Sequence, residues 1–296
     1  MGTRISMELW ADDPALANRA IEAVLAEMRR VDELMSTYKP TSELSRVNAE
    51  AASHPVPITP ELFKLLETSL GYSRVTEGAF DITYASVGYL YDFHKRVHPS
   101  EAAIEKALPA IDFRHVLLDE KTTSVRFSQA GVRIDLGGIA KGHAVDCAIA
   151  ILESMGIRHA VVSAGGDSRV IGDRFGKPWI IGIRNPRSAD PNAVITRIPL
   201  TDSAISTSGD YERYFEEGGV RYHHIIDPKT GHSASKVLSA TVIGPTATRT
   251  DGLSKTAFVL GPEEALRIIN GLKDVDAVFV TPDGRILYSK GLQPPN

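Results

Sequence analysis

Residues 115–136 read HVLLDEKTTSVRFSQAGVRIDL. The hydrophobic pattern changes here from helical spacing to short extended runs, which gives the first indication of a fold class. Three extended runs, His115–Asp119, Ser124–Phe127 and Val132–Leu136, follow one another with only turn residues between them. Strands this close in sequence usually pair antiparallel, whereas a doubly wound parallel sheet alternates its strands with helices. The stretch therefore predicts an antiparallel meander and an α+β fold, in which antiparallel sheets are flanked by helices.

Helix signals lie on both sides of the meander. A capping residue followed by proline marks a helix start, and an isolated serine cap marks a shorter one. Helices are predicted after Asp13-Pro14, Thr59-Pro60, Ser100 and Gly261-Pro262, and over about residues 139–155 and 251–260. The turn Thr281–Gly284 predicts a closing hairpin. With no repeat or low-complexity linker, the sequence predicts one domain over residues 1–296, with two tightly packed halves as the alternative.

The composition limits the class of protein. The chain has 296 residues, of which 43% are hydrophobic and 24% charged, with a formal net charge of -4. This apolar fraction is enough for a full core and excludes a disordered or fibrous chain. The slightly acidic balance predicts no general attraction to nucleic acid or anionic membranes. No run approaches the roughly 18 apolar residues of a membrane span, so a globular protein is predicted.

Two glycine-containing turns are candidate anion sites. Asp135–Gly142, DLGGIAKG, joins a predicted strand to a predicted helix. Its exposed N–H groups, the helix N-terminus and Lys141 favour a phosphate, although the spacing is neither that of a P-loop nor of a dinucleotide fingerprint. Ser163–Asp167, SAGGD, is a second turn that a ligand could approach closely. A plain structural turn remains the alternative in both cases.

Three further segments contain groups suited to catalysis or ligand binding. His223 and His224 precede a proline turn, and neighbours on a strand point to opposite faces, so at most one faces a given pocket. A general base or a buried core histidine are the alternatives, since zinc would need further ligands. Asp251 is either a helix cap or a ligand for a hard cation. Phe80 and Asp81 similarly fit a ligand site, or a core ring and a cap.

The order of these elements is more specific than any one of them. In chain order they are Met1-Gly2-Thr3, Ser36-Thr37-Tyr38, Ser42–Ser45, Gly78–Thr83, Asp135–Gly142, Gly165–Asp167, Ser208–Asp210, His224–Gly231 and Asp251 with Gly261. Over essentially its whole length the chain resembles the ApbE family, the FAD:protein FMN transferases. The elements His-Ile-Ile-Asp-Pro-x-Thr-Gly and Asp-Leu-Gly-Gly-Ile-Ala-Lys-Gly together are highly specific for that family.

The resemblance implies a T-fold-like arrangement of antiparallel sheets flanked by helices. It implies Mg²⁺-dependent transfer of FMN from FAD to a Thr or Ser hydroxyl of a target protein, with release of AMP. The implied targets are flavin subunits of membrane redox complexes. A Mg²⁺-dependent FAD pyrophosphatase, in which water replaces the protein hydroxyl, and a non-catalytic FAD-binding protein are the alternatives.

The resemblance also assigns roles by position. It implies that His224 is the general base and that Asp251 and the backbone carbonyl of Ala140 are ligands of the magnesium ion. The positions that it assigns to FAD are Met1, Tyr38, Ala79, Phe80, Asp81, Asp135, Lys141, Gly165, Gly166, Asp167 and Ile225.

The sequence departs from the family pattern at two places. A leader usually precedes the Met-Gly-Thr motif, whereas this sequence begins at that Met; we expect the periplasm or cell envelope if a leader is missing, and otherwise the cytoplasm. Lys255 stands where the family has a metal-binding Ser or Thr, four residues after Asp251, and an ammonium cannot ligate Mg²⁺. We expect Lys255 to contact a diphosphate oxygen; alternatively it turns away, and Ser254 or water completes the metal shell.

Overall fold

A computed structural model describes residues 2–190 and 192–293. The chain divides into two compact units, each assembled from separated segments. The first unit comprises Met1–Val31, Ile139–Gly209 and Lys236–Asn296, and the second comprises Asp32–Gly138 and Asp210–Ser235. The prediction of a single domain, with two halves as its alternative, stays a prediction. No helix in the described ranges is long and apolar enough to cross a membrane.

The secondary structure mixes helices with antiparallel strands, which confirms the predicted α+β class. The strands are β1 Ile5–Leu9, β2 Val56–Pro57, β3 Val116–Asp119, β4 Ser124–Phe127, β5 Ala160–Ala164, β6 Asp167–Ile171, β7 Trp179–Arg184, β8 Val194–Leu200, β9 Ser203–Gly209, β10 Tyr214–Glu217, β11 Val220–His223, β12 Ser239–Gly244, β13 Asp276–Val280 and β14 Ile286–Tyr288. The α-helices are α1 Pro14–Met35, α2 Glu43–Glu50, α3 Pro60–Val75, α4 Ala85–Gly88, α5 Glu101–Ala107, α6 Ala140–Ser154, α7 Ala247–Leu260 and α8 Pro262–Ile269.

A seven-stranded sheet forms the centre of the first unit, in the order β1-β5-β6-β9-β12-β13-β14, with every neighbouring pair antiparallel. Helices α6 and α7 contact each other and pack on this sheet. The hairpin β7–β8 adds a further apolar layer, in which Trp179 and Leu200 cluster with Ile205 and Val278 of the sheet. The predicted hairpin β13–β14 is confirmed.

A close approach and a shared cap fix helix α7 against helix α6. A Cβ atom on Gly142 would lie 2.2 Å from the Ala247 carbonyl oxygen, so only glycine fits there. The Asp146 carboxylate accepts hydrogen bonds from the N–H groups of Ala247 and Thr248, at 2.9 and 2.8 Å. These bonds satisfy two of the N–H groups that a helix start leaves without partners. The first turn of α7 therefore lies directly on α6.

The second unit contains a three-stranded sheet in the order β2-β4-β3. The predicted third strand of the meander, Val132–Leu136, is wrong, because its place in the sheet is taken by β2. Side chains explain the difference. The Asn48 amide bonds both the N–H and the carbonyl of Ile134, at 2.8 and 2.9 Å, and Ser86 Oγ accepts from the Arg133 N–H at 3.0 Å. With these partners, the extended backbone needs no neighbouring strand.

Several elements were not expected from the sequence. The sequence predicts neither strands β1, β2, β10 and β12 nor helices α2 and α4, and α7 begins four residues before Asp251. The hydroxyl of Thr246 caps α7 by accepting from the Arg249 N–H at 3.4 Å. Asp251 therefore lies inside the helix, and its alternative as a cap is wrong.

Candidate active site

Four charged side chains from the predicted site come together in the first unit. Lys141 Nζ lies 2.7 Å from Asp167 Oδ2 and 3.3 and 3.2 Å from the two Asp251 oxygens. Lys255 Nζ lies 3.3 Å from Asp251 Oδ1 and donates a 2.8 Å hydrogen bond to Ser208 Oγ. We call Lys141, Asp167, Asp251 and Lys255 the charge cluster.

The two lysines are the accessible part of the charge cluster. The side chains of Asp167 and Asp251 are 1% and 0% exposed, whereas those of Lys141 and Lys255 are 21% and 16% exposed. A buried carboxylate is costly unless it is paired, and each of these carboxylates has an ammonium partner. An incoming ligand therefore meets positive groups held in place by buried negative ones.

The pKa values of the cluster follow from burial and from the neighbouring charges. Burial works against ionised Asp251, but the charges of Lys141 and Lys255 and the Gly142 N–H hold its pKa below the ordinary value. For Asp167, burial and the charge of Asp251 raise the pKa, and Lys141 only partly opposes this. Burial opposes the charged form of Lys141, but the two carboxylates raise its pKa above the usual range. Lys141 and Asp251 are therefore charged at neutral pH.

The glycines beside Asp167 are required by close contacts. Gly165 has a φ of +65°, and a Cβ there would lie 2.6 Å from Thr3 Oγ1. A Cβ on Gly166 would lie 2.7 Å from the Thr207 carbonyl oxygen. This tight turn joins β5 to β6 and places Asp167 at the start of β6, so the predicted turn is confirmed as a structural feature; its contact with FAD stays a prediction.

The geometry of helices α6 and α7 places the other three charges. Lys141 lies in the first turn of α6, next to Ala140. Asp251 and Lys255 lie one turn apart on α7, which puts both on one face. The Gly142 N–H donates to Asp251 Oδ2 at 3.1 Å. The start of α6 therefore supplies both an ammonium and an N–H group to the carboxylate of α7.

The charge cluster does not fit the magnesium site that the resemblance implies. Mg²⁺ takes near-octahedral oxygen ligands at about 2.1 Å, whereas both Asp251 oxygens face N–H donors and Lys255 presents an ammonium instead of a hydroxyl. Among the described residues, Asp167 Oδ1 is a buried carboxylate oxygen of this cluster with no donor. One such oxygen does not make a metal shell. Asp251 acts here as the ion-pair partner of two lysines.

In the second unit, Asp135 is held by three donors. Thr37 Oγ1 donates to Oδ2 at 2.8 Å, while the Tyr84 hydroxyl and the Gly137 N–H donate to Oδ1 at 3.0 and 2.7 Å. Burial, together with the charge of Asp135, raises the pKa of Tyr84 well above its ordinary value, so the phenol stays a donor. Tyr38, the residue after Thr37, is 80% exposed and available for contact. The contacts of Asp135 and Tyr38 with FAD stay predictions.

The Gly78–Thr83 segment has structural roles in its own unit. Asp81 accepts from the Thr83 N–H and hydroxyl at 2.8 and 2.6 Å and from the Phe113 N–H at 2.8 Å, so it caps the short helical turn that follows. Burial raises its pKa despite these bonds. The Phe80 ring is buried against Tyr72, and Ala79 is also buried. The side chains of Phe80 and Asp81 serve the core and the cap, and their part in binding FAD stays a prediction.

The two adjacent histidines have different surroundings. His223 is 3% exposed; its Nε2 donates to the Ala234 carbonyl at 2.7 Å, and its Nδ1 accepts from the Ile225 N–H at 3.3 Å. Both ring nitrogens are used, so His223 is a structural histidine. His224 follows the end of β11, is half-buried, and donates its backbone N–H to the Arg213 carbonyl at 3.1 Å. Ile225 beside it is buried.

Three polar residues near the predicted site were missed. Ser208 bonds Lys255, and Thr37 and Tyr84 orient Asp135. Ser208 and Thr37 lie in motifs that carry the resemblance, which was the available signal. Tyr84 had none, because its bond to Asp135 spans 51 positions. Met1, also predicted to contact FAD, lies outside the described residues.

Comparisons with known proteins identify the family. The sequence profile of the ApbE family matches residues 1–279. The chain is 37% identical to a FAD:protein FMN transferase of Haemophilus influenzae, over 90% of this chain and 81% of the relative. It is 33% identical to one of Treponema pallidum, over 99% of this chain and 85% of the relative.

Solved structures agree with the sequence relatives. The ApbE protein of Thermotoga maritima matches with a TM-score of 0.90 and 36% identity, over 98% of this chain and 94% of the other. The flavin transferase ApbE of Vibrio cholerae matches with a TM-score of 0.83 and 30% identity, over the same shares of the two chains. These likenesses confirm the predicted ApbE architecture, and with the profile match they show that the chain belongs to the ApbE family of flavin transferases.

Proposed function

We propose that this protein transfers the FMN portion of FAD to a Thr or Ser hydroxyl of a target protein and releases AMP. The observation that carries the proposal is the charge cluster, in which two accessible lysines stand in front of two buried carboxylates at the start of helix α6. A diphosphate is the part of FAD that such a group of donors recognises. The names of the curated relatives, FAD:protein FMN transferase, support FAD as the donor.

The proposed reaction is a displacement at phosphorus. The target hydroxyl oxygen attacks the phosphorus on the FMN side of the diphosphate, and a new O–P bond forms. The bond from that phosphorus to the bridging oxygen breaks, and its electron pair leaves with AMP. The hydroxyl proton goes to a base. Such transfers depend mainly on positioning and on neutralising charge on the phosphate oxygens.

Individual side chains are assigned to these tasks. Lys255 would donate to a phosphate oxygen, and Lys141, whose Nζ already contacts three carboxylate oxygens, would add a positive charge beside it. His224 is the proposed base, since the ring of His223 is fully used by the backbone. No step is assigned to a metal, because the cluster does not fit one.

An experiment with FAD and a protein acceptor distinguishes the proposed function from its alternatives. The purified chain would be incubated with FAD and a flavin subunit of a membrane redox complex, with and without Mg²⁺. We expect the target to gain the mass of FMN less one water, with one AMP released for each modification. A target with its acceptor residue replaced by Ala, and therefore without a hydroxyl, is the matched control. Free FMN plus AMP without modified protein would instead identify a pyrophosphatase, and unchanged bound FAD a binding protein.

A further inference from the structure

We propose that the Lys255 ammonium supplies, from the chain itself, the positive charge that a divalent cation would otherwise bring to the diphosphate, so that FAD binds here without Mg²⁺. The inference rests on the proposed function for its ligand, FAD. It concerns how the diphosphate is held and not which group is transferred.

The position of Lys255 leaves its ammonium able to contact a ligand. Its Nζ contacts two acceptors, Asp251 Oδ1 at 3.3 Å and Ser208 Oγ at 2.8 Å. An ammonium has three hydrogens to donate, and no third acceptor for Lys255 occurs in the described ranges. With a side chain 16% exposed over a carboxylate that is 0% exposed, Lys255 has one donor left for a ligand oxygen.

Neighbouring hydrogen bonds hold Lys255 in place. Ser208 Oγ, which accepts from Lys255, also lies 2.8 Å from Ser254 Oγ. Ser254 Oγ in turn donates to the Asp251 carbonyl at 2.9 Å. If Lys255 turned away, buried Ser208 would lose its donor and Asp251 an ion-pair partner. The same bonds occupy Ser254, which therefore does not complete a metal shell.

The charges of the cluster balance one another. With both carboxyl groups counted as ionised, Asp167 and Asp251 contribute two negative charges and Lys141 and Lys255 two positive ones, so the charge cluster is formally neutral. A Mg²⁺ ion on Asp251 would leave two uncompensated positive charges beside an ammonium in a largely buried place. The diphosphate of FAD would also bring about two charges, but it would meet the two accessible ammonium groups, whereas the carboxylates that a cation needs are buried and already bonded. The cluster therefore favours the anion over the cation.

A hydroxyl residue in place of Lys255 would have the opposite preference. Threonine at this position would remove one positive charge and offer an oxygen one turn from Asp251. Both changes favour a divalent cation, because its ligands are oxygens and its charge would then be partly compensated. Lys255→Thr therefore converts the proposed ammonium site toward a metal site, whereas Lys255→Met removes the charge without offering a hydroxyl.

The test measures FAD binding and metal binding separately on the full chain. FAD affinity would be measured by quenching of flavin fluorescence, in EDTA and in Mg²⁺. We expect the parent to bind FAD equally well in both. Loss of one charge-assisted hydrogen bond should weaken binding of FAD to Lys255→Thr in EDTA by roughly 10- to 100-fold. Mg²⁺ should restore most of this loss in Lys255→Thr and less in Lys255→Met.

Direct binding of Mn²⁺, followed by electron paramagnetic resonance without flavin, gives a second measurement. We expect no specific Mn²⁺ site in the parent and one in Lys255→Thr, with circular dichroism confirming that the variants are folded. The inference is overturned if the parent binds Mn²⁺ tightly, or if its FAD binding disappears in EDTA and returns with Mg²⁺. If the parent binds no FAD under any condition, the proposed function fails, and the Mn²⁺ measurement still decides whether Lys255 excludes a metal.

Discussion

Replacing Gly142 by alanine tests how the contact between helices α6 and α7 supports the charge cluster. The new Cβ would lie 2.2 Å from the Ala247 carbonyl oxygen, 2.6 Å from its carbon and 2.9 Å from Asp251 Cβ. Ordinary contacts between heavy atoms lie at about 3.5 Å, so the helices must separate by roughly 1 Å. Two of the three close atoms belong to the backbone of α7, which no side-chain rotation can move.

The expected loss of stability follows from these distances. Overpacking a core costs about 1–3 kcal/mol, occasionally more, and a clash with backbone belongs at the upper end of that range. Alanine is favoured over glycine in a helix by about 1 kcal/mol, which offsets part of the cost. A net loss of about 2 kcal/mol or more corresponds to a fall in Tm of roughly 5 °C or more. The separation would also stretch the 3.1 Å bond from the Gly142 N–H to Asp251, so FAD affinity should fall as well.

Thermal unfolding followed by circular dichroism, with FAD titration on the same preparations, checks both effects. Gly71 offers the matched control, because it lies inside helix α3 and a Cβ there would meet nothing within 4 Å. Gly71→Ala should therefore keep FAD affinity and raise stability by up to about 1 kcal/mol. An unchanged Tm and unchanged FAD affinity in Gly142→Ala would refute the argument that this contact positions Asp251.

Three other substitutions or measurements have definite expected outcomes. His224→Ala should greatly reduce FMN transfer while FAD binding changes little, because a base acts in the transition state. His223→Ala should mainly lower Tm. Equal losses of activity in the two variants, without a loss of stability, would contradict the assignment of His224 as the base. Asp81→Asn should lower the free energy of unfolding, measured by denaturant titration, by about 1–3 kcal/mol, because it places an amide NH₂ among N–H donors. A much smaller decrease would argue against the role of Asp81 as a cap. FAD should bind more tightly than FMN in a fluorescence titration, and equal affinities would exclude recognition of adenosine.

Local sequence signals predicted the helices well, and side chains distant in sequence caused the main error in the sheet. The caps Thr59 and Ser100 act within three residues of their partners, and both predicted helices begin there. Val132–Leu136 has the alternation of a strand, but Asn48 bonds its backbone from 86 positions away. Hydrophobic period cannot reveal such a partner, because it reports only which face is buried.

The site shows the same division between local and distant effects. That Asp251 and Lys255 share a face follows from four residues of helical spacing, and the 3.3 Å contact agrees with it. Their partners do not follow from spacing. Ser208 approaches Lys255 from β9, and Lys141 approaches Asp251 from α6, across 47 and 110 positions. The motifs could nominate these residues, but only the fold could show which charges face one another.

The contacts of Asp251 with Lys141 and Lys255 also explain why a lysine at position 255 is compatible with a buried carboxylate at position 251. A carboxylate with no exposure is costly in the absence of a counter-charge, and a counter-charge brought by a dissociable ion is lost whenever that ion leaves. Lys141 alone is shared between Asp167 and Asp251. A second ammonium on the same helix as Asp251 completes the pairing permanently, and its i,i+4 spacing requires no rearrangement of the backbone. Lys255 thus stabilises the ligand-free cluster, and its ammonium is one of the two that an incoming ligand would meet first.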